Sequence, residues 1–139
     1  MNSPAAAVVI DTNILFSALL GGDSDFGHIL LRAEYSYHVC ESVLVELFKR
    51  KEKIVAYSRL SEEEVIRAYH VLLRHLDLFK EALIPSERWQ EAYRLCHDID
   101  VTDTPHVALT LTLGGRLWTG DKRLMDGLKQ KGFSRFFAP

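Results

Sequence analysis

The sequence predicts an α/β domain, with a mostly parallel central sheet covered on both faces by helices. Three observations predict it. Short apolar, strand-like runs alternate along the chain with longer segments of helical periodicity, the pattern of strands joined by helical crossovers. The first strand candidate, Val8-Val9-Ile10 in "VVIDTNIL", has no polar alternation, as expected of a strand buried on both faces. The 139 residues, 47% of them apolar, contain no repeat, low-complexity segment or linker. They read as a single domain, 1–139, long enough to bury a core.

Each element follows from local pattern. "AAAVVI" (5–10) is a buried strand. A helix follows from about Asn13, and another runs across "DFGHILLRAEY", where Ile29, Leu30 and Ala33 recur at helical spacing. "YSYHVC" (35–40) is a short strand, and "ESVLVELFKRK" (41–51) is a helix with Val43, Leu44, Leu47 and Phe48 on one stripe. "SEEEVIRAYHVLLRHLDL" opens with a capping box, Ser61 with Glu64, and carries Val65, Tyr69, Leu72, Leu73 and Leu76 on its apolar face. "FKEALI" (79–84) reads as a strand stopped by Pro85, after which Ser86 caps the helix "ERWQEAYRLCHD". The second half of "DTPHVALTLTLGG" alternates like a strand, but Pro105 near its start and Gly114-Gly115 at its end favour a helix. "RLWT" is then a strand, "DKRLMDGLKQKG" a helix and "FSRFF" a last strand. Right-handed crossovers put the strand-to-helix loops at one edge of the sheet.

Composition narrows the function. A net charge of −2 argues against holding nucleic acid by bulk electrostatics. The basic clusters at 49–53, 121–123 and 129–135 read as solvated faces. No apolar run approaches the roughly 18 residues of a membrane helix. The N-terminus, "MNSPAAAVVI", lacks the basic region of a secretory leader. Cys40 and Cys96 form no CxxC pattern, so a reduced, cytoplasmic setting with thiols in the core is expected.

The carboxylates carry the chemistry. Asp11 closes the first strand, Asp121 follows "RLWTG", and Asp103 begins the helix that leads into "RLWT". Any one of them is explained as a helix cap. Together they fall at the carboxyl ends of the strands, where open parallel sheets bind ligands. Two unit charges about 4 Å apart repel by about 4 kcal/mol at an effective dielectric near 20. Relief requires a proton, a basic neighbour such as Lys122, or a divalent cation. Oxygen donors without His or Cys select Mg²⁺ or Mn²⁺. The chemistry this suits is phosphodiester hydrolysis.

The motifs "VVIDTNIL", "ESVLVELFKR" and "DTPHVALTLTLGGRLWTGDKRL", in that order, resemble the PIN domain family, and within it the small stand-alone VapC-like toxins. The resemblance implies a three-layer α/β/α sandwich and a metal-dependent endoribonuclease acting on RNA. It implies an acidic quartet of Asp11, Glu46, Asp103 and Asp121 around one or two Mg²⁺ or Mn²⁺ ions, with Asp11, Asp103 and Asp121 as ligands. Thr119 matches the hydroxyl of the family's T/S-x-D motif, and Asn13 the polar residue near the first acid. It also implies a small antitoxin partner and a homodimer.

Alternatives stay open at several positions. Glu46 lies beside Arg50, so an i,i+4 ion pair competes with a site role, and Glu41 would be its substitute. Asp98 and Asp100 compete with Asp103, and Asp100 also fits a supporting role. His106, one turn from Asp103, reads as a helix-surface or partly packed histidine that could face the site. The Cys and His residues lack zinc-ligand spacing, and Ser17 and Ser42 lack a His–Asp partner pattern. Thr110 and Thr112 should bond to carbonyls one turn back. Trp118 should be core, and Trp89 either packs inward or lies at a dimer surface. The competing function is a non-catalytic or regulatory α/β module, either a PIN-like RNA- or partner-binding domain or a receiver-like phosphoacceptor. The latter wants an acidic pair after the first strand and an aspartate ending a middle strand. Here a lone Asp11 precedes Thr12-Asn13, and "FKEALIPSE" has no aspartate.

Overall fold

The computed structural model describes residues 5–21 and 25–139, so the stretch read above for a leader lies partly outside the described residues. The elements are β1 (Ala6–Ile10), α1 (Thr12–Leu19), α2 (Phe26–Leu30), β2 (Tyr35–Cys40), α3 (Glu41–Lys49), α4 (Lys51–Tyr57), α5 (Glu62–His75), β3 (Leu76–Phe79), α6 (Ser86–Cys96), α7 (Thr104–Leu113), β4 (Arg116–Trp118) and α8 (Lys122–Gln130). Short 3₁₀ turns at Glu81–Leu83 and Val101–Asp103 precede α6 and α7. The strands form one parallel sheet in the order β3-β2-β1-β4, and the architecture is the three-layer α/β/α sandwich.

β1 lies between β2 and β4, and its last three residues, Val8, Val9 and Ile10, are fully buried. Each buried aliphatic side chain of this size contributes roughly 1.5–3 kcal/mol. Helix α7 packs on β1, β2 and β4 and against α6. Trp118 is core, stacked on Phe26 at 5.3 Å and tilted against Phe137 at 5.2 Å. Burial pushes the thiols of Cys40 and Cys96 up to about 12. The strand order changes direction beside β1: β2 and β3 extend one way and β4 the other. That switch point opens a crevice at the carboxyl ends of β1 and β4.

Local signals located most elements. Ser61 and Glu64 make the reciprocal capping box. Thr110 and Thr112 donate to the carbonyls of His106 and Ala108. The ambiguous segment is the helix α7, ended by Gly114 at φ 60°.

Several boundaries differ from the sequence reading, among them the helix expected across 25–35, which is only Phe26–Leu30 and leaves Ala33 outside it. The strand expected over 79–84 is Leu76–Phe79, and α5 stops at His75 instead of continuing to Leu78. Pairing decides this: Leu76–Phe79 match Tyr37–Cys40 in register, and β2 turns into α3 at Glu41, which leaves nothing for residues beyond Phe79 to pair with. The helix expected over 41–51 breaks at Arg50 (φ −100°, ψ 9°), where α4 begins. Ser86 makes no side-chain cap and is the first residue of α6, with Pro85 in the cap position. "FSRFF" meets β4 through a single parallel bridge, Leu117 to Phe136, because β4 itself is only three residues long.

Gly115 has a steric reason. A Cβ there would stand 2.5 Å from the backbone oxygen of Ala7, so only glycine lets the chain enter β4 alongside β1. Gly115→Ala should therefore destabilise the domain by about 1–3 kcal/mol. Gly27→Ala, inside α2 with no atom of the described residues outside its own helix backbone and chain neighbours within 4 Å of the added carbon, should be neutral or stabilising. Paired urea titrations of the two variants check this contrast, and equal losses would contradict it.

Candidate active site

The buried end of β1 fixes the first acid. Asp11 is 2% exposed, its backbone N–H donates to the Trp118 carbonyl at 3.1 Å, and its Oδ1 accepts from Ile14 N–H at 3.0 Å. It is thus both the cap of α1 and a carboxylate held rigidly at the sheet edge. Asp121 repeats the device at β4: its Oδ1 accepts from Leu124 N–H at 3.1 Å and caps α8. Thr119, buried, fixes the approach, since its hydroxyl accepts from Asp121 N–H at 3.1 Å. Asp103 is placed at the N-cap of α7 but makes no capping bond with its side chain. Its carboxylate is not used to hold the helix.

A cleft of about 470 Å³ gathers these elements. Asp11, Asn13, Phe16, Ser42, Glu46, Arg50, Asp100, Asp103 and His106 are among the residues that line it. Of the acids expected from sequence, Asp11, Glu46 and Asp103 share this cleft, and Asp121 lies near enough for its charge to reach Asp103. Glu46 is within 3.4 Å of the Arg50 Nε, so the ion pair and the cleft position coexist. Glu41 is exposed and is not among the lining residues. Asp98 is tied to Lys131, which also donates to the Arg94 and Leu95 carbonyls, and it does not line the cleft. Asp100 does line it and accepts from the Thr102 N–H and hydroxyl at 3.0 and 2.6 Å.

Electrostatics single out Asp103. Burial, and then the charges of Asp100, Asp11 and Asp121, push its carboxyl from 3.8 up to about 7. The Thr102 hydrogen bonds hold Asp100 below the usual range. His106 is 6% exposed, and its Nδ1 is buried with no hydrogen-bond partner among the described residues. Burial outweighs the Asp11 and Glu81 charges and depresses its pKa, favouring the neutral ring.

Glu81 was missed from sequence. Its Oε1 accepts from Ser42 N–H at 3.2 Å at the start of α3, and its charge reaches His106. With the third strand read as 79–84, Glu81 falls inside a strand. Placing that strand at Leu76–Phe79 puts it just past the carboxyl end, on the edge that carries the other acids.

Among the described residues, no three His, Cys, Asp or Glu side chains are grouped closely enough to hold a metal ion as they stand. The chemistry of the donors nevertheless fits a hard divalent cation: oxygen atoms on rigid strand and helix ends, one of them raised to about 7 by burial and by the negative charge around it.

The chain matches a known family. A family model described as a PIN domain matches residues 9–136. None of the curated proteins matches the chain. Among solved structures, the chain is similar to VapBC2 from Rickettsia felis, in a crystal structure of VapBC2 bound to a DNA fragment from their promoter. The TM-score is 0.66 at 16% identity, over 94% of this chain and 95% of that one. At that identity the likeness is one of fold.

The Asp103 shift has a sign. Its folded value lies above its ordinary one, so the folded state holds the proton more tightly than the unfolded chain. The resulting penalty is absent below about pH 4, grows as the pH rises, and is complete above about pH 7. The metal-free protein should unfold several degrees lower near pH 8 than near pH 5. Asp103→Asn should remove most of that difference, and Mn²⁺ should restore the wild type at the higher pH. Thermal melts across this range check it, and a pH dependence unchanged in Asp103→Asn would contradict the assignment.

Proposed function

The chain belongs to the PIN domain family, and from that premise we propose that it is a metal-dependent endoribonuclease, the toxin of a toxin–antitoxin pair. The observation that carries the reading is the placement of Asp11, Asp103 and Asp121 near one another at the carboxyl edge of the sheet, where burial first, and then the charges of Asp100, Asp11 and Asp121, push Asp103 up to about 7. A bound Mg²⁺ or Mn²⁺ would offset both the burial of that carboxylate and the charges around it.

Asp11, Asp103 and Asp121 would hold the ion, with Glu46 completing the acidic set across the cleft. When bound, such an ion lowers the pKa of its water and neutralises charge building on the phosphate. The chain's own residues prepare the site for this. The Asp11 and Asp121 Oδ1 atoms are committed to helix caps, which fixes the direction of each carboxylate. Asp103 releases its proton as positive charge arrives. Thr119 sets the turn that delivers Asp121, and Asn13 offers an amide to the cleft. Removing a ligand should therefore cost far more than removing Asn13.

A small protein antitoxin and a second copy of the chain are the proposed partners. The family membership and the fold shared with VapBC2 support the first. No helix among the described residues is long and apolar enough to cross a membrane.

The test is cleavage of a labelled single-stranded RNA with Mg²⁺ or Mn²⁺ added. EDTA should abolish it, and Asp11→Asn and Asp103→Asn should each lower the rate about a hundredfold or more while melting as folded proteins. Asn13→Ala should lose less. Cleavage that persists in EDTA, or full activity in Asp103→Asn, would overturn the reading.

A further inference from the structure

The cleft faces a problem that its acids create. Asp11, Glu46, Asp100 and Asp103 line it, and RNA is itself a polyanion. The chain as a whole, at −2, supplies no attraction. Among the described residues, Arg50 is the one Lys or Arg on its lining.

Arg50 is also held in an unusual way. It occupies the break between α3 and α4, where the backbone leaves helical geometry at φ −100° and ψ 9°. Its guanidinium carbon lies 5.4 Å from the centroid of the Phe16 ring, on α1. Its Nε stands 3.4 Å from Glu46 Oε2. The Arg50 side chain therefore touches both Glu46 of α3 and Phe16 of α1. The side chain is still 59% exposed. The guanidinium is a flat fork of five N–H donors, and its contact with Glu46 is made at Nε. An exposed i,i+4 pair adds little to stability, so the pairing alone does not account for a cation stacked on an aromatic ring inside an acidic cleft.

We infer that Arg50 is the phosphate clamp of this cleft, binding an RNA backbone phosphate through the other arms of its guanidinium, with Phe16 as the platform that orients the fork. The inference rests on the ribonuclease reading and assigns the substrate-binding role within it. A planar fork on a ring meets a phosphate with two parallel N–H donors, which a lysine ammonium cannot do. Glu46 holds the fork in position when no phosphate is present. The acids then act on the scissile bond, while Arg50 offsets part of their repulsion for the strand.

The experiment measures binding and turnover on one RNA. Binding of a labelled single-stranded RNA is followed over a salt series in the Asp103→Asn background, which leaves the strand intact. Cleavage is followed in the otherwise wild-type chain with Mn²⁺ and an EDTA control. Arg50→Gln should weaken binding about tenfold and reduce the slope of log affinity against log salt by about 0.7, the value for one phosphate contact on a single strand. KM should rise while kcat changes much less. Arg50→Lys should keep the slope but lose part of the affinity, and Phe16→Leu should weaken binding with the slope kept. Melting curves confirm that each variant is folded. If the wild type cleaves and Arg50→Gln binds with the same affinity and slope, the clamp is overturned and the ribonuclease reading stands. If the wild type neither binds nor cleaves RNA, the ribonuclease reading fails and the clamp fails with it.

Discussion

Repulsion among carboxylates at the carboxyl edge of a parallel sheet is the constraint around which the rest of this structure is arranged. Asp11 sits at the end of a strand whose last three residues see no solvent, and it is itself nearly inaccessible. A charge in that position cannot swing into water to avoid its neighbours. The fold meets part of the difficulty by giving Asp11 and Asp121 helix N-termini to face, each accepting a backbone N–H three residues on. Asp103 receives no such bond, and burial together with the neighbouring charges pushes its carboxyl up to about 7. The capping explanation of these acids and the metal explanation are therefore not rivals. Capping fixes two of them in direction, and the third is left with the unmet charge.

The scaffold serves that edge. Parallel pairing brings the ends of β1 and β4 together at the point where strand order reverses, and the bond from Asp11 N–H to the Trp118 carbonyl joins the two ends directly. Gly115 admits β4 to that position because any larger residue would strike the Ala7 backbone. The aromatic cluster of Phe26, Trp118 and Phe137 packs beneath it. Rigid elements of this kind hold ligating groups to closer tolerance than loops do. The unpartnered Nδ1 of His106, buried beside the same cleft, fits a region where local stability is given up to function.

Much of this was legible in the sequence, and the part that was not has a physical reason. The uninterrupted "VVI" announced a strand buried on both faces, and "DTPHVALTLTLGGRLWTGD" carried acid, helix, glycine turn, strand and acid in order. These are local signals, written in burial pattern and cap chemistry. The third strand was misplaced because its limits depend on β2, which ends at Cys40 and leaves the chain unpaired after Phe79. Pairing between distant segments leaves no trace in either segment alone. Glu81 was hidden by that same error, since its place at the sheet edge exists only once the strand ends before it. The position of Arg50 between Glu46 and Phe16 was half visible: the i,i+4 spacing pointed to Glu46, whereas the approach of α1 is a tertiary fact.

The central claim is that these acids form a cation site whose unmet charge resides on Asp103. Calorimetric titration of Mn²⁺ into the metal-free protein, in two buffers of different ionisation enthalpy, tests it most directly. The account predicts binding accompanied by release of close to one proton near pH 6 and almost none near pH 8.5, because Asp103 titrates at about 7. Binding with no proton release at the lower pH, or no binding at either, would contradict it.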